Sequence, residues 1–428
     1  MRVLILLVLG LVLLPFSGAV AAELESDPVL ARLAGLGEGE SLVVPGVPLG
    51  GDRLGSVRFE RFALYAPGAE VAVVSDGVVR TLDRDHRVFL RGQSLDDPGI
   101  VIMLSASPAE GLWQGAVVGM EGLESIRLYA GEDGPLWRAY SADELMPEGT
   151  ILETACGNHD VDGLSGSLDS SVPTGAGGSR GGALRLGVLA IDTDKEWLDL
   201  RFNDNTSAAA TWLEDLMLAS NAIFEAQLNL RMQLGTTVLR VGSDPYSNLD
   251  SPASGAALSE FGTWWQNNQS GVQRTHAALI SGRSSSGFSA SGIAWVNSYC
   301  ENQSSGGSYS VNRLFYNSGV GITPNARLFA HEIGHNLGSV HTHCYNPPVD
   351  QCYNAESGCY AGAVSCPAEG TGSLMSYCNF GAPNGANCGA NRMELAPTVA
   401  TLLNSRIDSN TPSCITENQV LFADRFEQ

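Results

Sequence analysis

The stretch LSGSLDSSVPTGAGGSRGG, residues 164 to 182, divides the chain in two. It is rich in Ser and Gly and has no apolar period, so it reads as a flexible linker and processing region. The length agrees, since 428 residues exceed one ordinary domain. Before the linker, SVRFERFALYA, EVAVVSDGVVRTL, RVFLRG and IVIMLSAS alternate or run apolar between Gly, Pro and Asp. Residues 22 to 163 are therefore expected to form a β-rich domain. After it the pattern changes. ALRLGVLAIDTD reads as a buried strand, and between Ala208 and Ala226 the residues Trp212, Leu213, Leu216, Met217, Ile223 and Phe224 share one helical face. Leu228, Leu230, Met232 and Leu234 then alternate as a second strand, with AALISG (277–282) and GIAWVN (292–297) as two more. Strands alternating with long helices make residues 183 to 415 an α/β (α+β) domain. Residues 416 to 428 are left as a short tail.

The opening residues carry an address. Arg2, the apolar run Val3 to Leu14 and the small-x-small site Ala19-Val20-Ala21 read as a secretory signal peptide over residues 1 to 21. No later stretch approaches the ~18 apolar residues of a membrane span. The expected product is secreted and soluble, with no membrane anchor. A net charge of -22, from 24 basic and 46 acidic residues, excludes nucleic acid and anionic membranes as natural partners. The cysteines fit an oxidising compartment. Cys300, Cys344, Cys352, Cys359, Cys366, Cys378, Cys388 and Cys414 lie in the last third and suffice for four bridges, and Cys156 stands alone before the linker.

Three of the seven histidines fall within HEIGHNLGSVH, residues 331 to 341. A helix is expected there, with Thr323 as N-cap, Pro324 in the first helical position, and Ala326, Phe329, Ile333 and Leu337 as its apolar stripe. Gly338 is placed to end it in a left-handed conformation. His331 and His335, one turn apart, then share a face, and the turn at Gly338 lets His341 return as a third ligand. Three imidazoles suit Zn²⁺ and leave one position for water, the arrangement of catalytic rather than structural sites. Glu332 is placed to take the proton of a zinc-bound water and deliver it to the leaving amine. His343, two residues beyond, reads as a bystander.

This stretch resembles the HExxHxxGxxH motif of the metzincin zinc metalloendopeptidases. GTGSLMSYC, residues 370 to 378, strengthens the likeness, with Met375 in the place of the methionine turn beneath the zinc. HNLG and THAALISGRSSSGFSASGIAWVNSYC, residues 275 to 300, resemble the reprolysin/adamalysin (M12-type) branch, in a bacterial-type form. The likeness covers roughly residues 184 to 414 and implies a catalytic domain with a mixed twisted sheet and an active-site helix. It also implies that Gly292, Ile293, Ala294, Trp295 and on to Asn297 hold substrate backbone as an edge strand. Thr342 departs from the Asp that adamalysins carry after the third histidine. Tyr377, as in the serralysin and astacin turns, would either donate to the developing oxyanion or simply pack beneath the site.

The same resemblance gives the region before the linker the part of a latency-conferring propeptide. Cys156 would supply a thiolate as fourth ligand of the latent enzyme, as in a cysteine switch, or else be a free or intermolecularly paired thiol. His159 is a weaker candidate for the same role, and Arg180 a candidate cleavage point. By resemblance Cys300 pairs with Cys414, and the cysteines from Cys344 to Cys388 staple the loops beyond the third ligand. The expected protein is thus a monomeric secreted endopeptidase made as a zymogen, with one catalytic Zn²⁺, a protein or peptide substrate and its own propeptide as inhibitor. Calcium is left open, as no EF-hand-type loop is visible. Two other classes fit less well: an idle binding module on the same scaffold, which need not keep Glu332, and a hydrolase of non-standard amides such as peptidoglycan cross-links.

Overall fold

A computed structural model describes residues 27–84, 87–119, 122–131, 134–140, 153–156, 183–249, 253–283, 286–381, 383–411 and 413–418. The signal peptide, the linker with Arg180, His159 and all of the tail beyond 418 lie outside the described residues.

Ahead of the linker the expected β-rich segment is present. A short helix α1 (Pro28–Ala34), capped by the Asp27 carboxylate, leads into strands β1 (Ser41–Pro48), β2 (Leu54–Arg61), β3 (Val71–Ser75), β4 (Val78–Thr81), β5 (Val88–Ser94), β6 (Val101–Ser107), β7 (Leu112–Gly119), β8 (Gly122–Gly131) and β9 (Gly134–Tyr140). Seven of these form an antiparallel sheet in the order β1-β2-β5-β6-β7-β8-β9. The β3–β4 hairpin turns through Asp76 and Gly77 at φ 51° and 77°, the left-handed pair that suits a tight hairpin, and it leaves its neighbours for a second sheet.

That second sheet belongs mainly to the chain after the linker. Its strands are β10 (Glu153–Cys156), β11 (Arg185–Thr193), β12 (Leu230–Val241), β13 (His276–Ser281), β14 (Ser289–Ala294), β15 (Tyr309–Arg313) and β16 (Thr416–Glu417). They run β10-β14-β15-β13-β11-β12-β3-β4, with β16 on β11. β12, β11, β13 and β15 are parallel, and β14 is antiparallel to β15. The sheet is mixed, as expected. Helices α2 (Lys195–Phe202), α3 (Thr206–Leu228), α4 (Gly255–Gln269), α5 (Ile322–Leu337) and α6 (Pro397–Asn410) complete the described elements.

α3 starts where the Asn205 side chain accepts from Ala208 N–H at 3.0 Å and stops at Asn229 in a left-handed conformation. Leu228 therefore ends the helix, and the strand expected from 228 begins at Leu230. The strand expected at 292–297 lies at 289–294. Trp295 is beyond its end and packs half-buried on the cluster of Phe261, Trp265 and Tyr309. Neither α4 nor β15 was anticipated. β15, YSVNR, is polar at alternate positions yet wholly buried because it is an inner strand.

One apolar core spans the linker. Phe62, Leu64, Val71, Val73, Phe89 and Met103 join Leu213, Leu216, Met217 and Phe224 of α3. Charge reinforces this contact. Arg87 donates to Glu214 and Asp215 at 2.7 Å each, Arg91 to Glu225 at 2.5 Å, and Tyr65 OH to Glu214 at 2.7 Å.

Candidate metal centre

α5 carries the histidines, but its start differs from the sequence expectation. Gly321 occupies the N-cap position, and Thr323 lies inside the first turn, where its hydroxyl meets Ser125 Oγ at 3.1 Å. Pro324 remains in that turn, where the missing N–H is no loss. At the other end Gly338 takes φ 118°, and its N–H donates to His335 O at 2.8 Å. The chain then reverses and returns His341 to the helix face, as the spacing of the motif implied.

His331, His335, His341 and Cys156 are all buried, and their ligand atoms lie within 4.8 Å of one another. His331 Nε2 is 3.0 Å from His335 Nε2, which is 3.6 Å from Cys156 Sγ. Ligands around a tetrahedral zinc at about 2.0–2.3 Å would stand roughly 3.3–3.7 Å apart. The donor set fits that ion in kind, and its spacing lies within about 0.3 Å of that range. Each imidazole is engaged at Nδ1, which turns Nε2 inward: His331 on Leu374 O (2.8 Å), His335 on Ser339 O (2.7 Å) and His341 on Glu356 Oε2 (2.8 Å). Burial and the neighbouring His341 hold His331 down to about 3, and burial with His331 holds His335 well below its ordinary value, so both rings are neutral and able to ligate at neutral pH.

Glu332 is fully buried. It lies against the backbone of Gly292 in β14, where a Cβ would overlap its carboxylate. Burial pushes this carboxyl up to about 8, while the Cys156 thiol acts the other way. Met375 lies beneath the helix: a Cβ at Gly334 would stand 2.6 Å from its sulfur. Its carbonyl accepts from Thr342 N–H at 3.1 Å. The Thr342 hydroxyl donates to Ser376 Oγ at 3.0 Å, which in turn donates to Asp350 at 2.7 Å. Where adamalysins have Asp, this chain thus couples a threonine to an aspartate eight residues on.

The Tyr377 ring stands 4.0 Å from that of His341, and its hydroxyl donates to Cys156 O at 3.1 Å. Burial pushes this phenol far up, so it remains a donor. Cys156 arrives on β10, which runs parallel to β14 with Cys156 opposite Gly292. Of the residues expected to hold substrate, Gly292 is covered by β10, Ile293 and Ala294 continue β14 beyond that pairing, and Trp295 is outside the strand. The disulfides are Cys300–Cys414, Cys344–Cys359, Cys352–Cys378 and Cys366–Cys388. The pairing of Cys300 with Cys414 is the expected one, and the six cysteines from Cys344 to Cys388 pair among themselves.

Sequence reasoning missed Glu356. Its only trace in the sequence is the single acid between Cys352 and Cys359. His343 is not one of the four converging groups around Cys156, and its Nε2 approaches Glu356 Oε2 at 2.9 Å.

Residues 185–387 match the family Reprolysin_5, described as Metallo-peptidase family M12. Among solved structures, metalloproteinase-II from Bacteroides fragilis aligns at 13% identity over 80% of this chain and 92% of that one, with a TM-score of 0.34. A chaperone-substrate complex aligns at 12% identity over 68% of this chain and 42% of the other, with a TM-score of 0.28. Both scores are too low to mark a shared fold. No curated protein matches the chain. The sequence match covers the helix, its histidines and the methionine turn, and makes residues 185–387 similar to the M12 metallopeptidases.

Proposed function

We propose that this chain is a secreted zinc endopeptidase made as a latent zymogen, with residues 22–163 as its propeptide, 164–182 as the processing region and 183–415 as the catalytic domain. The observation that carries the reading is the convergence of three imidazoles and one thiol beside the buried carboxyl of Glu332.

His331, His335 and His341 would hold the ion in all states, and Cys156 in the latent one. Zinc in this site supplies a Lewis acid and lowers the pKa of a bound water towards about 7. Glu332 accepts the water's proton and passes it to the leaving nitrogen. It lies close against the backbone of Gly292, where a Cβ would stand 2.2 Å from its Oε1. Tyr377 gives its hydroxyl to Cys156 O in the latent form. With that strand gone, the same phenol is available to the oxyanion. The edge β14 that β10 covers would then take an extended peptide by its main chain.

Latency follows from the same contacts. The Cys156 sulfur would take the place of the water on the ion, and β10 would occupy the strand that substrate needs. The salt-linked core around α3 holds the remainder of the propeptide in place. Glu332→Ala tests the reading: the variant should hold one zinc per chain yet show no casein hydrolysis. Retained turnover would refute the base assignment, and absence of metal from the parent would refute the site.

A further inference from the structure

The three imidazoles are not held alike. Two are oriented by backbone carbonyls, of Leu374 and Ser339, whereas His341 is oriented by a carboxylate. Glu356 Oε2 stands 2.8 Å from His341 Nδ1 and 2.9 Å from His343 Nε2, so two imidazoles share one oxygen. Their rings are stacked, with centroids 5.5 Å apart and planes 6° from parallel. Both histidine side chains are buried, and that of Glu356 is only 13% exposed. The Cys344–Cys359 disulfide closes the loop that carries Glu356. Tyr360 N–H bonds to His343 O at 3.0 Å, and Cys359 N–H to Glu356 O at 3.2 Å.

We infer that Glu356 is a positioning residue for the metal, orienting His341 and setting its tautomer, and that His343 holds Glu356 rather than the ion. The inference rests on the reading of this cluster as a zinc centre. An ionised carboxylate only accepts, so the shared oxygen requires a proton on His341 Nδ1 and leaves the Nε2 lone pair for the ion. A backbone carbonyl could fix the tautomer equally well. A carboxylate also makes the ring a stronger base and places a negative charge behind a divalent cation. His343 gives Glu356 a second donor, which keeps its oxygen aimed at His341 without the help of water. The disulfide brings this acid to the site from 15 residues beyond His341.

The test uses the full chain carrying Glu332→Ala to prevent self-cleavage. Zinc affinity is measured by competition with a chromophoric chelator, and the visible spectrum is recorded after cobalt substitution. Removing a carboxylate behind a ligating histidine weakens metal binding by about 10–100-fold. That loss is expected for Glu356→Ala, with a shifted cobalt spectrum. Glu356→Gln keeps an acceptor for His341 without the charge, and its affinity should fall between the two. A Glu356 that merely shaped the loop would leave Glu356→Gln at the parent affinity. That result, or a Glu356→Ala affinity within about twofold of the parent, overturns the inference. A parent that binds no zinc instead overturns the reading of the site, so the two failures are distinguishable.

Discussion

Replacing Arg87 with methionine isolates the ion pairs that join the N-terminal sheet to α3. The Arg87 side chain is 1% exposed, and those of its partners Glu214 and Asp215 are 4% and 12% exposed. It donates to both at 2.7 Å, to Thr211 O at 3.2 Å and to Ser105 Oγ. Methionine preserves much of the apolar stem and removes the charge, leaving two carboxylates buried without their cation. Breaking such a pair from one side costs about 3–5 kcal/mol, more than the intact pair contributes. Tyr65 and Gln114 still donate to Glu214 and Asp215, at 2.7 and 2.6 Å, so the lower end is expected: about 3 kcal/mol, or roughly a hundredfold in an equilibrium constant. Denaturant unfolding of the full chain reads this as a lowered midpoint. The sign with pH is also fixed. Burial raises the Glu214 carboxyl above its ordinary 4.5 even though Arg87 and Tyr65 pull it down. A carboxyl raised in the folded state gives stability that is full at acid pH and lost as the pH climbs through the raised value. Without Arg87 that value rises further, so the deficit of the variant should be smallest near pH 4.5 and grow towards neutrality. Adding Glu214→Gln should then recover part of the loss. A deficit under about 1 kcal/mol, or strict additivity of the two changes, would refute the argument.

Other expectations can be checked with similar means. Gly292→Ala should displace Glu332, since the added Cβ overlaps its carboxylate; misplacement of about 1 Å costs about 10²-fold in turnover, so casein hydrolysis should fall that far with zinc content unchanged. Full activity would show that Glu332 is not seated by β14. Cys156→Ala should give early activity or self-degradation during export, and a variant as latent as the parent would exclude the sulfur as the lock. Asp194, the buried N-cap of α2, is pushed up to about 7 by burial against an ordinary 3.8. The parent should therefore lose stability as pH rises between those values, by up to about 1.4 kcal/mol per unit, and Asp194→Asn should abolish that slope while keeping the cap. Parallel stability curves for the two proteins would count against it.

What the sequence made legible is what local periodicity controls. His331 and His335 had to share a helix face by spacing alone, and Gly338 had to turn the chain because few other residues accept φ 118°. EVAVVSDGVVRTL reads as strand-forming, yet nothing in it states which sheet its hairpin joins, because strand edges carry no local signal of their partner. Trp295 sits in an apolar run that continues past the end of β14, and its burial comes from Phe261 and Trp265 on α4, a contact made in three dimensions only. Glu356 was hidden for the same reason. Its loop has no period, and its place is set by a disulfide pairing that spacing could not choose.

The composite sheet gives the two attachments of the N-terminal region different characters. β10 covers the β14 edge with four residue pairs, Glu153 to Cys156 against Ser289 to Gly292, and places one sulfur. β3 covers the opposite edge, on β12, and behind it come a shared apolar core, the buried cation of Arg87 and the partly buried one of Arg91. An unpaired edge is a template for any extended chain, which a peptidase requires at β14 and gains nothing from at β12. The short contact is therefore the one that must open for substrate, and the extensive one lies where exposure would reveal α3's apolar face and its carboxylates. Four residue pairs open at far lower cost than a shared core that encloses the Arg87 cation, so on the proposed reading release of the sulfur and loss of the N-terminal sheet would be energetically separate events.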